Sequence, residues 1–385
     1  MPRGAAGFVA AGEDVAEKLA GLIDAVSADP RINVHLETEL TAVEGFVGNF
    51  KSTIKNAAGQ EETIAHGVAL LATGAHPHET TEYGYGQDAR VITSLELDRR
   101  FKNDDPSLAN LGTAVFIQCV GSREPYRPYC SRVCCTHSVD NALELKRRNP
   151  EMNVYVLYRD IRTYGEREYL YKEAREKGVI FIRYSLERKP EVIAGDGRLT
   201  VRVTDHVLGR PIEIEADLLT LATAILPNRD EALAQFFKVP LNDDGFFVEK
   251  HAKLGPSEFA TDGVFLCGMA HYPKPIDEAI NHGKAAASRA VTLLAQQTVT
   301  TSGQVAEVNP ALCSMCGVCV SICPYSAPSF RAETERFWPG RAEINPVLCK
   351  GCGLCVASCR SGAIHLKGFD NDQIFAQLFA LNEAS

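Results

Sequence analysis

The chain has 385 residues, of which 45% are hydrophobic and 23% charged, and its formal net charge is −9. These values predict an ordinary globular protein of two or three domains, and the negative charge argues against nucleic acid as a partner. The sequence contains no run of about twenty apolar residues, so no direct membrane span is predicted. The N-terminal residues lack a secretory hydrophobic stretch. Thirteen cysteines in such a chain indicate metal or redox chemistry. We expect a cytoplasmic location.

Apolar periodicity predicts an alternation of strands and helices along most of the chain. The predicted elements, in chain order, are a helix at 13–28, strands at 32–36, 40–43 and 50–56, a turn at 59–60, strands at 67–75 and 112–121, a helix at 138–148, a strand at 154–158, a helix at 166–177, strands at 179–184, within 191–225 and at 263–270, and a helix at 276–296. This β-α-β-α-β order predicts an α/β fold with a parallel, doubly wound sheet.

Two cysteine runs near the C-terminus share the spacing C-x2-C-x2-C-x3-C, which is typical of bacterial two-cluster ferredoxins. The first run is Cys313, Cys316, Cys319 and Cys323, and the second is Cys349, Cys352, Cys355 and Cys359. In such proteins the fourth cysteine of each run binds the other cluster. The crossed rule therefore predicts two [4Fe-4S] clusters, held by Cys313, Cys316, Cys319 and Cys359, and by Cys349, Cys352, Cys355 and Cys323. Zinc and disulfides are the alternatives, but zinc sites use two pairs of ligands rather than two quartets.

The two runs belong to an internal repeat. Residues 309–313 read NPALC, and residues 345–349 read NPVLC. Pro324 follows the last cysteine of the first run, whereas Arg360 occupies the equivalent position of the second run. This difference removes no ligand, but it brings a positive charge close to a predicted cluster.

A third group of cysteines lies outside the ferredoxin segment, with the spacing C-x10-C-x3-C-C. Its members are Cys119, Cys130, Cys134 and Cys135. Cys119 ends a predicted strand, Cys130 follows a loop, and both are expected to converge on a helix that starts at Ser138. The positive end of that helix would favour thiolates and a negative cluster. On spacing alone, a cluster, a redox-active dithiol and buried structural cysteines remain open.

Several motifs carry a resemblance to a known family. They are QCVGSR at 118–123, YCSRVCCT at 129–136, LYRDIRTYG at 157–165, GFVGNF at 45–50 and YPKPIDEA at 272–279. Over nearly the whole chain, the sequence resembles the flavin-bearing A-type component of heterodisulfide reductase (HdrA). The resemblance implies a thioredoxin-reductase-like fold with two dinucleotide-binding domains. It also implies a third [4Fe-4S] cluster on the group Cys119, Cys130, Cys134 and Cys135.

The flavin site that the resemblance implies is incomplete in this sequence. FAD in such folds lies on an N-terminal Gly-x-Gly-x-x-Gly turn, and no such turn opens this chain, which resembles a split or shortened form. The remaining FAD contacts implied by the family are Ala72, Thr73, Gly74, Gly268, Met269, Lys274, Pro275 and Ile276. The alternative is that these segments are strand–turn packing without a flavin.

Lys274 and Asp140 are the candidate catalytic residues. In the family pattern, a lysine near the flavin N5 follows the double cysteine by five residues, and Asp140 occupies that position here. A carboxylate disfavours an anionic reduced flavin. Three alternatives follow: a partner supplies the positive charge, the flavin does not bifurcate electrons, or no flavin is bound. For Lys274 the alternatives are a place near the flavin and a solvated loop. The cysteine group occupies the place of a nicotinamide cofactor, so NAD(P)H binding is not predicted.

The predicted domain organisation follows from these motifs. It comprises a partial FAD-binding domain at 1–108, an inserted dinucleotide-binding-like domain with the four-cysteine group at 109–226, a return to the FAD-binding domain at 227–298, a linker at 299–308, a two-cluster ferredoxin domain at 309–368 and a C-terminal helix or tail at 369–385.

The predicted function is that of an iron–sulfur (flavo)protein component of an anaerobic, multi-subunit oxidoreductase that is active only in its complex. It would relay electrons between a flavin or partner chain and the ferredoxin-type clusters. The implied partners are HdrB-like and HdrC-like chains, an MvhD-like or hydrogenase-linked chain, and a chain that supplies the missing FAD half. The alternatives are an electron-bifurcating FAD subunit of heterodisulfide reductase, a related subunit of a class II benzoyl-CoA reductase complex, and a non-redox scaffold whose clusters only hold the fold.

Overall fold

The computed structural model describes residues 15–298, 303–331 and 341–383. The helices are α1 (Val15–Ala28), α2 (Ser94–Lys102), α3 (Cys134–Arg148), α4 (Glu168–Glu176), α5 (Glu231–Phe237), α6 (Ile276–Leu294), α7 (Val318–Ile322), α8 (Leu354–Ser358) and α9 (Asn371–Glu383). The strands are β1 (Thr38–Glu44), β2 (Phe50–Asn56), β3 (Glu61–His66), β4 (Ala69–Leu71), β5 (Ala75–Pro77), β6 (Val91–Thr93), β7 (Thr113–Val120), β8 (Asn153–Tyr158), β9 (Ile180–Arg183), β10 (Glu191–Ala194), β11 (Leu199–Asp205), β12 (Arg210–Ala216), β13 (Leu218–Thr223), β14 (Ile225–Pro227), β15 (Val264–Leu266), β16 (Ala306–Val308), β17 (Pro328–Arg331), β18 (Arg341–Ile344) and β19 (Ile364–Leu366).

A parallel sheet with the strand order β6-β13-β7-β8-β9 forms the centre of residues 15–298, which we call the body. All eight residues of β7 are buried, as expected for an apolar run between two covered faces. Helices α2, α3 and α4 cover one face around Phe116 and Leu145, and the antiparallel sheet β10-β11-β12 covers the other through Val201 and Ile214. Each such buried side chain contributes about 1.5–3 kcal/mol to stability. The predicted α/β class with a parallel sheet is therefore confirmed.

The N-terminal part of the body differs from the prediction at one strand. Helix α1 confirms the predicted helix over residues 15–28, and residues 13 and 14 lie outside the described ranges. The strand predicted at 32–36 is wrong, because these residues adopt no regular structure and Leu36 is 78% exposed. Branched residues form a strand only where they pack on a partner. Strands β1, β2 and β3 form an antiparallel sheet, and the predicted turn at 59–60 lies in the connection between β2 and β3.

A pair of parallel strands positions the segments implied to bind FAD. Strand β15 pairs with β4, with Val264 opposite Ala69 and Leu266 opposite Leu71. The backbone N–H of Cys267 donates to the carbonyl of Leu71 at 3.1 Å. Because parallel strands end at the same sheet edge, residues 72–74 and the short 3₁₀ helix Gly268–Ala270 leave the pair at one edge. Helix α6 follows from Ile276, where its predicted start is confirmed.

The C-terminal segment folds around two short antiparallel pairs, β16 with β19 and β17 with β18. Strand β16 corrects the predicted linker at 299–308, because its three residues pair in this sheet; residues 299–302 lie outside the described ranges. The segment packs on the body through Val347, which contacts the apolar cluster around Phe237, and through an ion pair between Lys350 and Asp262. Helix α9 lies in the predicted C-terminal segment, whose residues 384 and 385 also lie outside the described ranges.

The boundary predicted at residue 108 also needs correction. Strand β6 precedes that boundary but pairs with β13 in the central parallel sheet, and Leu97 and Phe101 of α2 belong to the apolar core on that sheet. A three-residue strand carries too little periodicity to be assigned from sequence. In the part of the chain that the structure describes, no helix combines the length and the apolar character needed to cross a bilayer.

Candidate metal centres and cofactor site

The eight C-terminal cysteines line two separate cavities. One cavity is lined by Cys313, Cys316, Cys319 and Cys359, and the other by Cys323, Cys349, Cys352 and Cys355. In each cavity, three cysteines come from one run and the fourth from the other run. The two groups that the crossed spacing rule predicts are therefore each brought together around one space.

Glycines shape the cysteine loops. Helix α7 starts after Gly317 at φ +76°, and α8 starts after Gly353 at φ +75°, in the left-handed region that glycine adopts without strain. Gly351 also has a positive φ of +63°, and a Cβ there would overlap the carbonyl oxygen of Gln304. Burial raises the pKa of Cys319 and of Cys355, which disfavours their thiolate forms unless a nearby positive charge compensates.

All thirteen cysteines lie in the described ranges, and none forms a disulfide. Within residues 15–298, 303–331 and 341–383, no three side chains of His, Cys, Asp or Glu converge as the ligands of a single metal ion would. A cubane cluster is held differently, because each of its four cysteines binds a different iron. The two cavities lined by four cysteines each are the observation that fits such clusters.

The third cysteine group gathers where β7 meets α3. Cys119 lies in β7 with a φ of +62°, and α3 begins at Cys134, which places Cys134 and Cys135 in its first turn. The predicted helix start at Ser138 is therefore wrong by four residues. Burial raises the pKa of Cys119, and the nearby thiols of Cys135 and Cys130 raise it further. The thiols of Cys135, Cys119 and Cys130 likewise raise the pKa of Cys134, so all four cysteines lie close enough to interact.

Several buried polar groups without hydrogen-bond partners lie close to these cysteines in the sequence. Both side-chain amide atoms of Gln118, the Thr136 hydroxyl and the Ser138 hydroxyl are buried and form no hydrogen bond. Buried polar groups without a hydrogen bond are rare, because each unsatisfied donor lowers the stability of the folded protein by about 1–3 kcal/mol. Gln118 adjoins Cys119, Thr136 adjoins Cys135, and Ser138 lies three residues after Cys135. The sulfurs of an iron–sulfur cluster accept hydrogen bonds. The donor set therefore fits a cluster at this position.

Arginines hold the loop around Cys119. The buried Arg159 donates to the carbonyl of Cys119 at 3.4 Å and to that of Arg123 at 2.8 Å. Its charge is balanced by the buried Glu124 at 3.6 Å, and Arg123 pairs with Asp160 at 2.6 Å. These contacts place cationic groups beside a site expected to carry thiolates, which favours the ionised form.

A cavity of about 480 Å³ opens beside Cys130. Its lining combines aromatic rings and cations, namely Tyr129, Cys130, Arg132, Arg162, Tyr164, Asn242, Asp244, Phe246, Tyr272 and Pro273. Arg132 lies over the rings of Tyr164 and Tyr272 and pairs with Glu278 at 3.0 Å. Sequence reasoning missed this cavity, because its walls come from separate segments; the position of Arg132 inside the YCSRVCCT motif was the available signal.

The segments implied to bind FAD keep two features of a ligand site. The Thr73 hydroxyl is buried without a hydrogen-bond partner, while the Thr73 carbonyl accepts a hydrogen bond from Asn228 at 2.7 Å. Gly268 has a φ of +67°, and a Cβ there would meet no atom within 4 Å. An unpaired donor and an open glycine at the same sheet edge fit a bound polar cofactor. Ala72, Gly74 and Met269 adjoin these two positions.

Lys274 is buried rather than solvated, with 5% of its surface exposed. Its Nζ donates to Nδ1 of His282 at 2.8 Å and lies 3.4 Å from Nδ1 of His271. Nε2 of His271 in turn contacts Glu249 at 2.7 Å, and Nε2 of His282 donates to the carbonyl of Pro256 at 3.1 Å. We call Lys274, His271, His282 and Glu249 the lysine network. It lies directly before Pro275 and Ile276, at the start of α6.

Burial controls the protonation of the lysine network. Burial, followed by the charge of Arg132, lowers the pKa of Lys274 to about 8. Burial also lowers the pKa of His271 to about 4, although Glu249 opposes the shift. At neutral pH the lysine is therefore a cation that donates to two neutral imidazoles.

Asp140 lies elsewhere, on α3. It is buried, and burial raises its pKa to about 6, while Arg147 and His137 oppose the shift. His137 itself contacts Asp98 at 2.8 Å. The charge of Asp98, which is also buried, raises the pKa of Asp140 further.

Several known proteins are similar to this chain. Residues 312–363, which contain both cysteine runs, match the family described as "4Fe-4S dicluster domain". The chain is 42% identical over 365 residues to a protein of Archaeoglobus profundus that is named as like the A component of heterodisulfide reductase, covering 85% of this chain and 51% of that protein. It is 38% identical over 286 residues to an iron–sulfur A component of the CoB–CoM heterodisulfide reductase of Methanopyrus kandleri, covering 70% and 43%.

Among solved structures, a thioredoxin reductase of T. acidophilum matches with a TM-score of 0.48 and 15% identity, covering 74% of this chain and 83% of that one. The chain spans about half the length of the curated relatives it matches. Over most of its own length, the chain is similar to the A components of heterodisulfide reductases, and its residues 312–363 match a 4Fe-4S dicluster domain.

Proposed function

We propose that this protein is an iron–sulfur subunit of a larger oxidoreductase complex, in which it relays electrons between a flavin and ferredoxin-type clusters. The observation that carries the proposal is the pair of cavities, each lined by three cysteines of one run and one of the other. The relatives are components of heterodisulfide reductases, which supports a role inside a complex. Thiolate-bound clusters exchange single electrons, so the cysteines act as ligands rather than nucleophiles.

A third [4Fe-4S] cluster, on Cys119, Cys130, Cys134 and Cys135, is part of this proposal. It is supported by the mutual influence of the four thiols and by the partnerless donors of Gln118 and its neighbours. Arg123 and Arg159 would hold the loop and offset the negative charge of the thiolates.

FAD is the cofactor that we propose for the edge of the β4–β15 pair. Thr73 and Gly268 would contact it, together with Ala72, Gly74 and Met269, while Lys274, Pro275 and Ile276 would border it at the start of α6. A flavin supplies the step between two-electron and one-electron chemistry. The residues of this chain would orient it, exclude water and hold a proton at Nζ of Lys274.

A bifurcating flavin subunit is the second candidate, and the buried cation of Lys274 favours it. The family's lysine position holds Asp140, but the lysine network provides another buried positive charge beside the FAD segment. A cation stabilises an anionic reduced flavin. The pure relay requires no such charge.

Iron, acid-labile sulfide and flavin content of anaerobically purified protein test the proposal, measured alone and with its native partners. We expect about twelve irons per chain and FAD in the assembled complex. A content of about eight irons per chain would exclude the third cluster. A content of about twelve irons without flavin would indicate a pure iron–sulfur relay. The absence of iron and sulfide would contradict the proposed function.

A further inference from the structure

The lysine network connects a buried cation to the surface of the body. Lys274 is 5% exposed, and the side chain of His271 is 9% exposed. Glu249 reaches solvent, with 19% of its side chain exposed. Nζ of Lys274 lies 3.4 Å from Nδ1 of His271, and Nε2 of His271 lies 2.7 Å from the carboxylate of Glu249. One imidazole therefore joins the buried ammonium group to a carboxylate in contact with water.

His282 forms a second branch, which ends at a backbone carbonyl. Nζ of Lys274 donates to Nδ1 of His282 at 2.8 Å, and Nε2 of His282 donates to the carbonyl of Pro256 at 3.1 Å. A backbone carbonyl accepts a hydrogen bond but does not take up a proton at neutral pH. The two imidazoles therefore differ, because His271 leads to a group that can be protonated, whereas His282 holds the ammonium group in place.

The inner end of the network lies at the segments proposed to contact FAD. The backbone N–H of His271 donates to the carbonyl of Gly268 at 3.3 Å, and Lys274 directly precedes Pro275 at the start of α6. Nζ of Lys274 lies 4.4 Å from the centre of the Tyr272 ring, which lines the cavity of about 480 Å³. The network thus begins at the proposed cofactor segments and ends at a surface carboxylate.

The charges that face Lys274 bring it close to the point of proton exchange. Burial, followed by the charge of Arg132, lowers its pKa to about 8, while Glu278, Cys267 and Glu249 oppose the shift. An acid with a pKa near the working pH gives up a proton and regains it at little cost. Lys274 therefore has the acidity that a proton carrier needs.

His271 is prepared to accept that proton. Burial lowers its pKa to about 4, so the imidazole is neutral at pH 7. A neutral imidazole has one N–H and one bare nitrogen. Because Nε2–H is directed at the carboxylate of Glu249, Nδ1 is the bare nitrogen, and it faces Nζ of Lys274.

We propose that the lysine network is a proton outlet for the flavin, in which Lys274 and His271 pass protons to Glu249 at the surface. This inference rests on the FAD proposed for the same edge. Oxidation of a reduced flavin releases protons as well as electrons, whereas iron–sulfur clusters take up electrons alone. The protons therefore need a route of their own, and the network supplies one.

Each transfer along this route is balanced. Nζ of Lys274 takes up one proton from the cofactor and gives one to Nδ1 of His271. At the same time, Nε2 of His271 releases its proton to the carboxylate of Glu249, so the imidazole stays neutral. Glu249 then passes the proton to water, and the electrons leave through the clusters. Exchange between the two neutral tautomers of His271 restores the starting arrangement.

Proton release from the assembled complex tests the outlet. The complex is reduced without oxygen and mixed with ferricyanide, a one-electron oxidant that takes up no proton, while a pH-indicator dye follows the release. Glu249→Gln should slow proton release about tenfold or more, because an amide cannot accept the proton. The matched control is Glu258→Gln, which should keep the rate. Its side chain is 20% exposed, like that of Glu249, but it pairs with Arg289 at 2.5 Å.

Two further variants separate a proton route from a merely structural role. His282→Asn removes the shorter contact to Lys274 but leaves the line to Glu249, so it should slow proton release less than His271→Gln does. Added acetate should restore proton release in Glu249→Ala, because a mobile carboxylate can replace the missing one. An equal or larger loss in His282→Asn, or no response to acetate, would mean that the network only positions Lys274, and would overturn the outlet.

Flavin content of the same samples separates this inference from the proposed function. FAD present in the complex, with equal proton release in Glu249→Gln and the unmodified protein, would overturn the outlet alone. Absence of FAD from the assembled complex would overturn both the proposed cofactor and the outlet.

Discussion

The buried Lys274 of the lysine network predicts the direction in which the free energy of unfolding changes with pH. Lys274 is 5% exposed, and burial lowers its pKa from the ordinary 10.5 to about 8. The difference is about 2.5 pKa units, and each unit corresponds to about 1.4 kcal/mol, so the buried charge lowers the free energy of unfolding by about 3–4 kcal/mol at neutral pH. We expect Lys274→Met, which keeps the length of the side chain without its charge, to remove this effect.

The sign follows from proton binding. Between pH 8 and 10.5 the unfolded chain keeps the lysine proton while the folded protein releases it, so the unfolded state binds more protons. The free energy of unfolding of the unmodified protein should therefore rise with pH in this window. Lys274→Met should lack that rise. Its absolute stability at pH 7 also reflects lost hydrogen bonds to His271 and His282, so the slope is the informative quantity.

Urea unfolding of anaerobic protein, followed at several pH values across the same window from pH 8 to 10.5, measures the slope. The control is Lys284→Met, because Lys284 is exposed on the same helix α6 and should keep the slope of the unmodified protein. Parallel curves for the unmodified protein and Lys274→Met would refute the argument, since they would mean that Lys274 is not held in a buried, charge-disfavouring environment.

Three further predictions concern the cysteines and His271. Cys316→Ala and Cys352→Ala should each remove one cluster, lowering iron by about four per chain, while Cys267→Ala, outside the three groups, should leave iron unchanged. Cys134→Ala should lower iron without altering the ferredoxin-type signals. His271→Gln should reduce the loss of stability between pH 6.5 and about 4, because the unfolded state of the unmodified protein binds an additional proton in that window.

Each of these predictions would be contradicted by one specific result. Full iron content in both Cys316→Ala and Cys352→Ala would reject the ligand assignment. Intact iron in Cys134→Ala would leave a dithiol at that site. An acid-unfolding curve for His271→Gln with the same slope as the unmodified protein would show that the buried imidazole does not control acid stability.

The ferredoxin quartets could be anticipated because the information is local. A fixed spacing within each run and a repeat between runs determine which cysteines meet, and the cavities contain those groups. The burial of β7 was equally readable, since a continuous apolar run has few alternatives. Helix α3 was more difficult. It begins at Cys134 after Val133, which provides no side-chain cap, so the sequence carried no capping signal at the true start.

The lysine network and the cavity beside Cys130 were beyond sequence reasoning. Glu249, His271, Lys274 and His282 come from separate loops and a helix, and only the fold brings them together. A lysine in a loop is usually solvated, so nothing local in the sequence indicates that this one is buried. Strand β16 was hidden for another reason: three residues are too few to show a period, and only pairing with β19 defines them.

The pairing of β16 with β19 has a consequence for evolution and engineering. Strand β16 precedes the first cysteine run and β19 follows the second, so the entry and the exit of the cluster-binding segment lie side by side. Segments with adjacent ends can be inserted into a single surface loop of another protein without separating the flanking chain. The two-cluster segment could therefore be inserted as a unit into one surface loop of a different oxidoreductase.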